Sequence, residues 1–262
     1  KAINANLKLI ECPIRHFGTE EGYKIYTVPV KIDEDQTTKH NVSLQKEDPT
    51  FAYVVGYADP SYSIYAYAVN AASGGLTPII GGQFSEAEMK NPCAFLTDAD
   101  GKFLYVANNM GPSVSVFAID PATGYLAPIT GSPFATNNNP RKLAMSPEGG
   151  FVAVGCNYNL NIFSRDQSNG ALSDRQVFPL APDEEMKEVI FDMTGNYLYA
   201  AVSTGYIYVY GKNPDGTFAQ IAGSPLATRP NPSDLAFGLE GDFLYATSAG
   251  STAMGYHSVN GN

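Results

Sequence analysis

The chain has 262 residues, with 16 Lys and Arg against 26 Asp and Glu, which gives a formal net charge of −10 at pH 7. An apolar fraction of 44% is enough for a packed core and excludes a disordered chain. The acidic balance argues against nucleic acid as a partner, because binding to phosphates needs Lys and Arg. No apolar run approaches the roughly 18 residues of a membrane-spanning helix.

The N-terminal part of the chain contains several short apolar runs. Residues 24–32 and 40–44 each predict a strand, of which one could open the first repeat unit and the other belong to an added hairpin. Residues 7–10, followed by Pro13, are similar to residues 126–129, followed by Pro133. This similarity predicts one further strand near the N-terminus.

From about residue 50 the sequence repeats itself roughly every 46 residues. The clearest copy covers residues 92–136, where a turn at Gly101 leads into two apolar runs and a Gly-Ser-Pro ending. The turn glycine recurs at intervals of 46 to 48 residues, as Gly149, Gly195 and Gly241. An earlier copy begins near Phe51 and has Pro49 in the turn, so that five copies are present.

Alternating apolar and polar residues, with many aromatic side chains, predict four short strands per copy and no long amphipathic helix. Four strands cannot bury both faces of one unit, whereas units stacked around an axis can, as in a β-propeller. We therefore predict an all-β fold, a single propeller domain over residues 1–262, with five blades of four antiparallel strands. A six-bladed ring, or a fragment of a seven-bladed ring, stays open. The predicted blades are residues 40–86, 92–136, 140–182, 185–228 and 232–262, with residues 5–14 completing the last blade.

Two parts of the repeat carry a family resemblance. The run Leu104-Tyr105-Val106-Ala107-Asn108 resembles the repeat written Tyr-Val-Thr-Asn, and the ending Gly131-Ser132-Pro133-Phe134 is similar to the ending of that repeat. Together they resemble the lactonase-type and surface-layer-type β-propellers of bacteria, over roughly residues 47–262. Because these motifs are structural, the resemblance implies the fold more directly than a function.

The enzymatic branch of that family, which includes 6-phosphogluconolactonases, has a Gly-Pro-Arg-His stretch, then a Glu and a second Arg. The matching stretch here is Asn139-Pro140-Arg141-Lys142, which keeps the Arg and replaces the His by Lys. The Glu position falls near Cys156 and Asn157, and the second Arg position near Val202 and Ser203. Since three of the four features are missing, we predict a non-catalytic binding or scaffold module. The alternatives are a divergent lactonase with Arg141 as the anion-binding residue, and a surface-display protein.

One face of the predicted propeller collects Tyr, Asn and charged side chains. Tyr and Asn suit binding surfaces, although solvated loops in which Asn serves turn geometry are the alternative. The expected partner is an unidentified protein or a small carbohydrate-like ligand, and no cofactor or metal is implied. The candidate binding residues are Tyr57, Asp59, Tyr62, Asn108, Asn109, Arg141, Lys142, Asn157, Tyr158, Glu185 and Arg229.

The sequence gives few indications of metal binding, of reactive cysteines or of the cellular location of the protein. Residues 98–101 predict a hairpin turn, because a calcium loop would need further ligands. The cysteines Cys12, Cys93 and Cys156 are expected to be buried apolar residues, and His257 is predicted on a third strand. The low Lys and Arg content, with abundant Asn, Ser, Thr and Tyr, predicts an extracytoplasmic protein.

Overall fold

The computed structural model describes residues 50–58, 61–84, 89–249 and 255–258. Every helix or strand in these ranges is a β-strand, which confirms the all-β prediction, and no element there could cross a membrane as a helix. The strands predicted within residues 5–14, 24–32 and 40–44 lie outside the described residues. The strands are β1 (Thr50–Ala58), β2 (Ser61–Val69), β3 (Leu76–Phe84), β4 (Pro92–Thr97), β5 (Phe103–Asn108), β6 (Ser113–Ile119), β7 (Leu126–Pro128), β8 (Phe134–Ala135), β9 (Pro140–Met145), β10 (Phe151–Cys156), β11 (Asn159–Arg165), β12 (Leu172–Pro179), β13 (Met186–Phe191), β14 (Tyr197–Val202), β15 (Tyr206–Lys212), β16 (Phe218–Gln220), β17 (Leu226–Ala227), β18 (Pro232–Phe237), β19 (Phe243–Ser248) and β20 (Gly255–Ser258).

These strands form five antiparallel sheets, each built from consecutive segments of the chain. The first sheet is β1–β3, the second β4–β8, the third β9–β12, the fourth β13–β17 and the fifth β18–β20. His257 lies on β20, the third strand of its sheet, as predicted. Each sheet is therefore one copy of the sequence repeat, folded as successive hairpins.

The recurring glycine lies in the first hairpin of the second, third, fourth and fifth sheets. Gly101, between β4 and β5, has a φ of 66°, in the left-handed region that favours glycine. Gly149, Gly195 and Gly241 occupy the same turn in the next three sheets, with φ between 70° and 73°. The 46-residue spacing thus marks equivalent turns in successive sheets.

The core lies between consecutive sheets, which pack face to face. Four apolar clusters join the first sheet to the second, the second to the third, the third to the fourth and the fourth to the fifth. Burial of each such side chain contributes about 1.5–3 kcal/mol. This stacking is that of a β-propeller. Fully buried members of the four clusters include, in that order, Ile64 and Leu104, Val116 and Val154, Ile162 and Leu198, Ile207 and Leu244.

Tyrosines add a recurring hydrogen bond between sheets. The Tyr53 hydroxyl donates to the Gly124 carbonyl at 2.9 Å, and the Tyr105 hydroxyl donates to the Gly170 carbonyl at 2.9 Å. Both carbonyls belong to the turn before the last strands of the following sheet. The third sheet has Ala153 at this position, so the bond is not repeated there.

The Gly-Ser-Pro ending has a structural role in the second and fourth sheets. The Ser132 hydroxyl accepts a hydrogen bond from the Val116 backbone N–H at 2.9 Å, and the Ser224 hydroxyl accepts one from Val209 N–H at 2.8 Å. Each hydroxyl replaces a backbone partner where the outer strand is interrupted. The recurring serine therefore satisfies a strand donor that would otherwise lack a partner.

Candidate functional site

The first strands of four sheets form what we call the inner wall, which consists of β4, β9, β13 and β18. Each of these strands contacts the next one, and in a propeller the first strand of each blade lines the central channel. Every strand of the inner wall carries a β-bulge at its second residue, where the register with the neighbouring strand shifts. The bulged residues are Cys93, Arg141, Lys187 and Ser233.

A bulge inserts an extra residue and redirects side chains, and bulges are frequent beside active sites. The residue after each bulge pairs again with the neighbouring strand. At this position stand Ala94, Lys142, Glu188 and Asp234 in successive sheets. Charged residues thus occur both at the bulge position and at the position after it on the strands of the inner wall.

Lys142 and Glu188 form an ion pair between the third and fourth sheets. The Lys142 Nζ lies 2.7 Å from the Glu188 Oε2, and the two side chains are 35% and 17% exposed. The other carboxylate oxygen of Glu188, Oε1, accepts a hydrogen bond from the Val189 backbone N–H at 3.0 Å. The carboxylate is therefore held at both oxygens and still partly accessible.

Gly155 makes room for this pair. A Cβ at Gly155 would lie 2.6 Å from the Met186 Cγ and 3.1 Å from the Lys142 Cβ. The missing side chain therefore leaves space for both the Lys142 stem and Met186 beside Gly155. The small residue on β10 thus sets how closely β9 and β13 approach.

Arg141 is exposed, and within the described ranges its guanidinium makes no ion pair or side-chain hydrogen bond. Cys93 lies beside it, since the thiol donates to the Pro140 carbonyl at 3.2 Å. Burial raises the pKa of the Cys93 thiol, and the charges of Arg141 and Lys142 oppose that rise. The positive charges of Arg141 and Lys142 therefore both act at the Cys93 thiol.

The connection before β13 is held by a buried carboxylate. The Glu184 side chain accepts hydrogen bonds from the Tyr208 hydroxyl at 2.8 Å and the Thr204 hydroxyl at 3.0 Å. Desolvation, followed by the contact with Glu184, raises the pKa of Tyr208 to about 12. This anchor fixes the chain that leads to Glu185, whose Oε2 is 3.1 Å from the Lys187 Nζ.

Several predicted binding residues lie in strands. Arg141 and Lys142 belong to β9, which begins at Pro140. Tyr57 and Tyr62 lie opposite each other in the register of β1 and β2. Asp59 lies outside the described residues.

The predicted asparagines have mainly structural contacts. Asn108 is buried, and its Nδ2 donates to the hydroxyls of Ser113 and Ser115 at 3.1 and 3.0 Å. Asn109 donates from Nδ2 to the Pro140 carbonyl at 3.4 Å. The Asn157 carbonyl accepts from the Met186 backbone N–H at 3.0 Å, which ties the third sheet to the fourth.

Two predicted residues, Tyr158 and Arg229, are exposed. Tyr158 follows β10, and Arg229 stands in the connection before β18. The role of the eleven candidates in binding stays a prediction. In the part of the chain that is described, no three His, Cys, Asp or Glu side chains lie close enough to hold a metal ion.

Sequence reasoning missed Glu188 and the exposure of Cys93, whereas Cys156 is buried as predicted. Cys12 lies outside the described residues. A signal for Glu188 does exist in the sequence. Aligning the inner-wall strands by their repeat puts Lys142 and Glu188 at the same position of neighbouring units, with opposite charges.

Solved structures with the same fold include two described as lactonases. The periplasmic gluconolactonase of Pseudomonas aeruginosa is 18% identical, with a TM-score of 0.66 over 79% of this chain and 62% of that one. A putative 6-phosphogluconolactonase of Bacteroides fragilis is 24% identical, with a TM-score of 0.63 over 79% of this chain and 62% of that one. A protein of Lactobacillus plantarum is 15% identical, with a TM-score of 0.62 over 79% and 77%.

At these identities the likeness concerns the fold alone, and the chain spans 62% of the length of the two lactonases. No curated protein matches the chain. A family profile, by contrast, matches residues 46–187, which is more than half of the chain. The chain belongs to the family described as "Lactonase, 7-bladed beta-propeller".

Proposed function

We propose that the protein is a lactone hydrolase that binds its substrate at the inner wall, beside Arg141. The observation that carries the proposal is the exposed Arg141 guanidinium, next to the paired side chains of Lys142 and Glu188. Opening a lactone places negative charge on the carbonyl oxygen, and a fixed cation stabilises that charge. Lys142 is already paired, so Arg141 is the cation available to the substrate.

This proposal replaces the prediction of a non-catalytic binding or scaffold module, which is wrong. That prediction rested on three missing features of the family's enzymatic branch. The family match overturns it, because the chain shares the lactonase profile over residues 46–187 without those features. The structure also contains a carboxylate on the wall, Glu188, that does not occupy the motif position where a Glu was expected.

The test is the hydrolysis of a panel of unphosphorylated and phosphorylated aldonolactones, followed by acid release and corrected for spontaneous ring opening. We expect Arg141→Ala to lower kcat/KM roughly 10²-fold or more, as for loss of one oxyanion donor. Arg175→Ala is the matched control, because Arg175 lies on the outer strand β12 and donates to the Ala135 carbonyl. A wild-type protein that opens no lactone of the panel, or a fully active Arg141→Ala variant, would overturn the proposal.

We further propose that the protein is located outside the cytoplasm. It is supported by the small number of Lys and Arg residues, 16 in 262, and by the periplasmic source of one similar gluconolactonase. Fractionation of cells that express the tagged native gene tests it, and recovery only with cytoplasmic markers would contradict it.

A further inference from the structure

We infer that Glu188 is the general base of this hydrolysis and that Lys142 positions its carboxylate. The inference rests on the proposed function and adds to it the group that activates water. A base is needed because water is a weak nucleophile, and a side chain that removes its proton in the transition state contributes about 10²–10⁴-fold.

The motif position cannot supply that base. The resemblance to the enzymatic branch places a His where this chain has Lys142, and the Lys142 ammonium, held against a carboxylate, has no lone pair to accept a proton. The side chain that Lys142 contacts is Glu188, 2.7 Å away on the next strand of the inner wall. The carboxylate of Glu188, in the fourth sheet, therefore supplies the lone pairs that base catalysis needs.

The geometry of Glu188 fits a base better than a purely structural partner. Its side chain is 17% exposed, so it is mostly shielded from bulk water and still partly accessible to solvent. Lys142 and the Val189 N–H each hold one carboxylate oxygen, and each oxygen has a second lone pair. The base of the Lys142 side chain lies against β10, since a Cβ at Gly155 would be 3.1 Å from the Lys142 Cβ.

The proposed steps balance in atoms and charge. Water attacks the lactone carbonyl carbon while Glu188 accepts one of its protons, and Arg141 stabilises the oxyanion. The tetrahedral intermediate then breaks its bond to the ring oxygen, which takes the proton back from Glu188. The product is an open-chain hydroxy acid, which releases a proton to solvent as it ionises. No oxidant, reductant or further reactant is required.

The charges around Glu188 define what a pH profile would report. Lys142 and Arg141 lie on β9, Lys187 and Glu185 lie beside Glu188 along the chain, and Asp234 occupies the equivalent position on β18. Only the ionised form of a carboxylate can accept a proton from water. Loss of activity at acid pH should therefore disappear when the catalytic carboxylate is removed.

The decisive experiment compares Glu188→Gln with Glu148→Gln on the best lactone of the panel. Glu148 also pairs with a lysine of the fourth sheet, Lys212, at 3.2 Å, but it lies in the β9–β10 turn, away from the bulges. We expect Glu188→Gln to lower kcat about 10²–10⁴-fold with little change in KM, and to lose the acid limb of the pH profile. Glu148→Gln should keep the wild-type kcat and pH profile.

Two further variants separate a base from a structural pair. Formate should restore part of the activity of Glu188→Ala, because a free carboxylate can replace a lost base but cannot repair a lost contact. Lys142→Arg, which keeps the ion pair, should retain more activity than Lys142→Met. An active wild type with a fully active Glu188→Gln variant would overturn the base alone, while an inactive wild type would overturn both the base and the function.

Discussion

The Arg165 Nη2 lies 2.7 Å from the Asp98 Oδ2, across the boundary between the second and third sheets, with the side chains only 3% and 6% exposed. The same guanidinium donates from Nε to the Tyr105 hydroxyl and from Nη1 to the Gly149 carbonyl at 3.0 Å. Asp98 in turn accepts from the Lys102 backbone N–H at 2.7 Å. One arginine thus joins two hairpin turns and a core tyrosine.

Removal of either partner of this pair should be costly, because the other charge is left buried. We expect Asp98→Ala to lower the free energy of unfolding by about 3–5 kcal/mol, measured by urea denaturation. The double variant Asp98→Leu with Arg165→Met should recover part of the loss, since no unpaired charge remains. Asp100→Ala is the control, because the pair of Asp100 with Lys102 is exposed to solvent. Equal losses for Asp98→Ala and Asp100→Ala would contradict this assignment.

The buried tyrosines should make the protein sensitive to alkali. Desolvation raises the pKa of Tyr199 and of Tyr208 to about 12, and raises those of Tyr53, Tyr105 and Tyr210 as well. Because the folded state favours the neutral phenol, this contribution to stability is complete below the ordinary pKa of about 10. It is lost as the pH rises from there through 12.

Phenolate absorbance, followed together with circular dichroism, measures this effect. A group of tyrosines should ionise late, and the free energy of unfolding should decline over the same pH range. Tyr208→Phe should remove one late-titrating group and make the decline shallower. A free energy of unfolding that stays level from pH 10 to 12 would be inconsistent with these shifts.

Gly155→Ala should destabilise the inner wall, because Gly155 lies on β10, the strand that pairs with β9. The added methyl would lie 2.6 Å from the Met186 Cγ, closer than relaxed structures allow, and 3.1 Å from the Lys142 Cβ, which is a tight contact. Such overpacking costs about 1–3 kcal/mol. We also expect lower lactonase activity, because Lys142 must move relative to Glu188. Gly238→Ala serves as the control, since its nearest contact would be an ordinary 3.5 Å to Tyr245. Unfolding midpoints that match for the two variants would count against the close approach.

The cysteines should differ in their reaction with iodoacetamide. Cys93 is exposed, whereas Cys156 is fully buried and desolvation raises its pKa to about 12. Since the thiolate is the reactive form, Cys93 should be alkylated first in the native protein, as read by peptide mass mapping. Arg141→Ala should slow this reaction, because Arg141 opposes the rise in the pKa of Cys93. Faster labelling of Cys156 than of Cys93 would refute the placement of both thiols.

The repeat and the strands could be predicted because hairpins are local. Phe103–Asn108 is an apolar run, Ser113–Ile119 alternates small or polar with apolar residues, and Gly101 marks the turn between β4 and β5. The stacking of sheets then follows from apolar side chains on both faces of each unit. Contacts within one repeat are therefore readable from its sequence.

The candidate site could not be predicted in the same way. A bulge at Arg141 leaves no mark in the strand itself, since it exists only relative to the register of β10. The pair of Lys142 with Glu188 joins residues 46 positions apart, and it depends on how two sheets face each other. The family motif places the carboxylate near Cys156 on β10. It therefore gives no indication of Glu188, which lies on β13.

The bulges at the start of β4, β9, β13 and β18 share one backbone geometry but carry different side chains. The same shift in register carries a thiol, a guanidinium, an ammonium or a hydroxyl, as Cys93, Arg141, Lys187 or Ser233. The surrounding sheets do not need to change when one of these side chains is exchanged for another. A single substitution at a bulge can therefore change the chemistry of the inner wall while the hairpins and the core stay as they are.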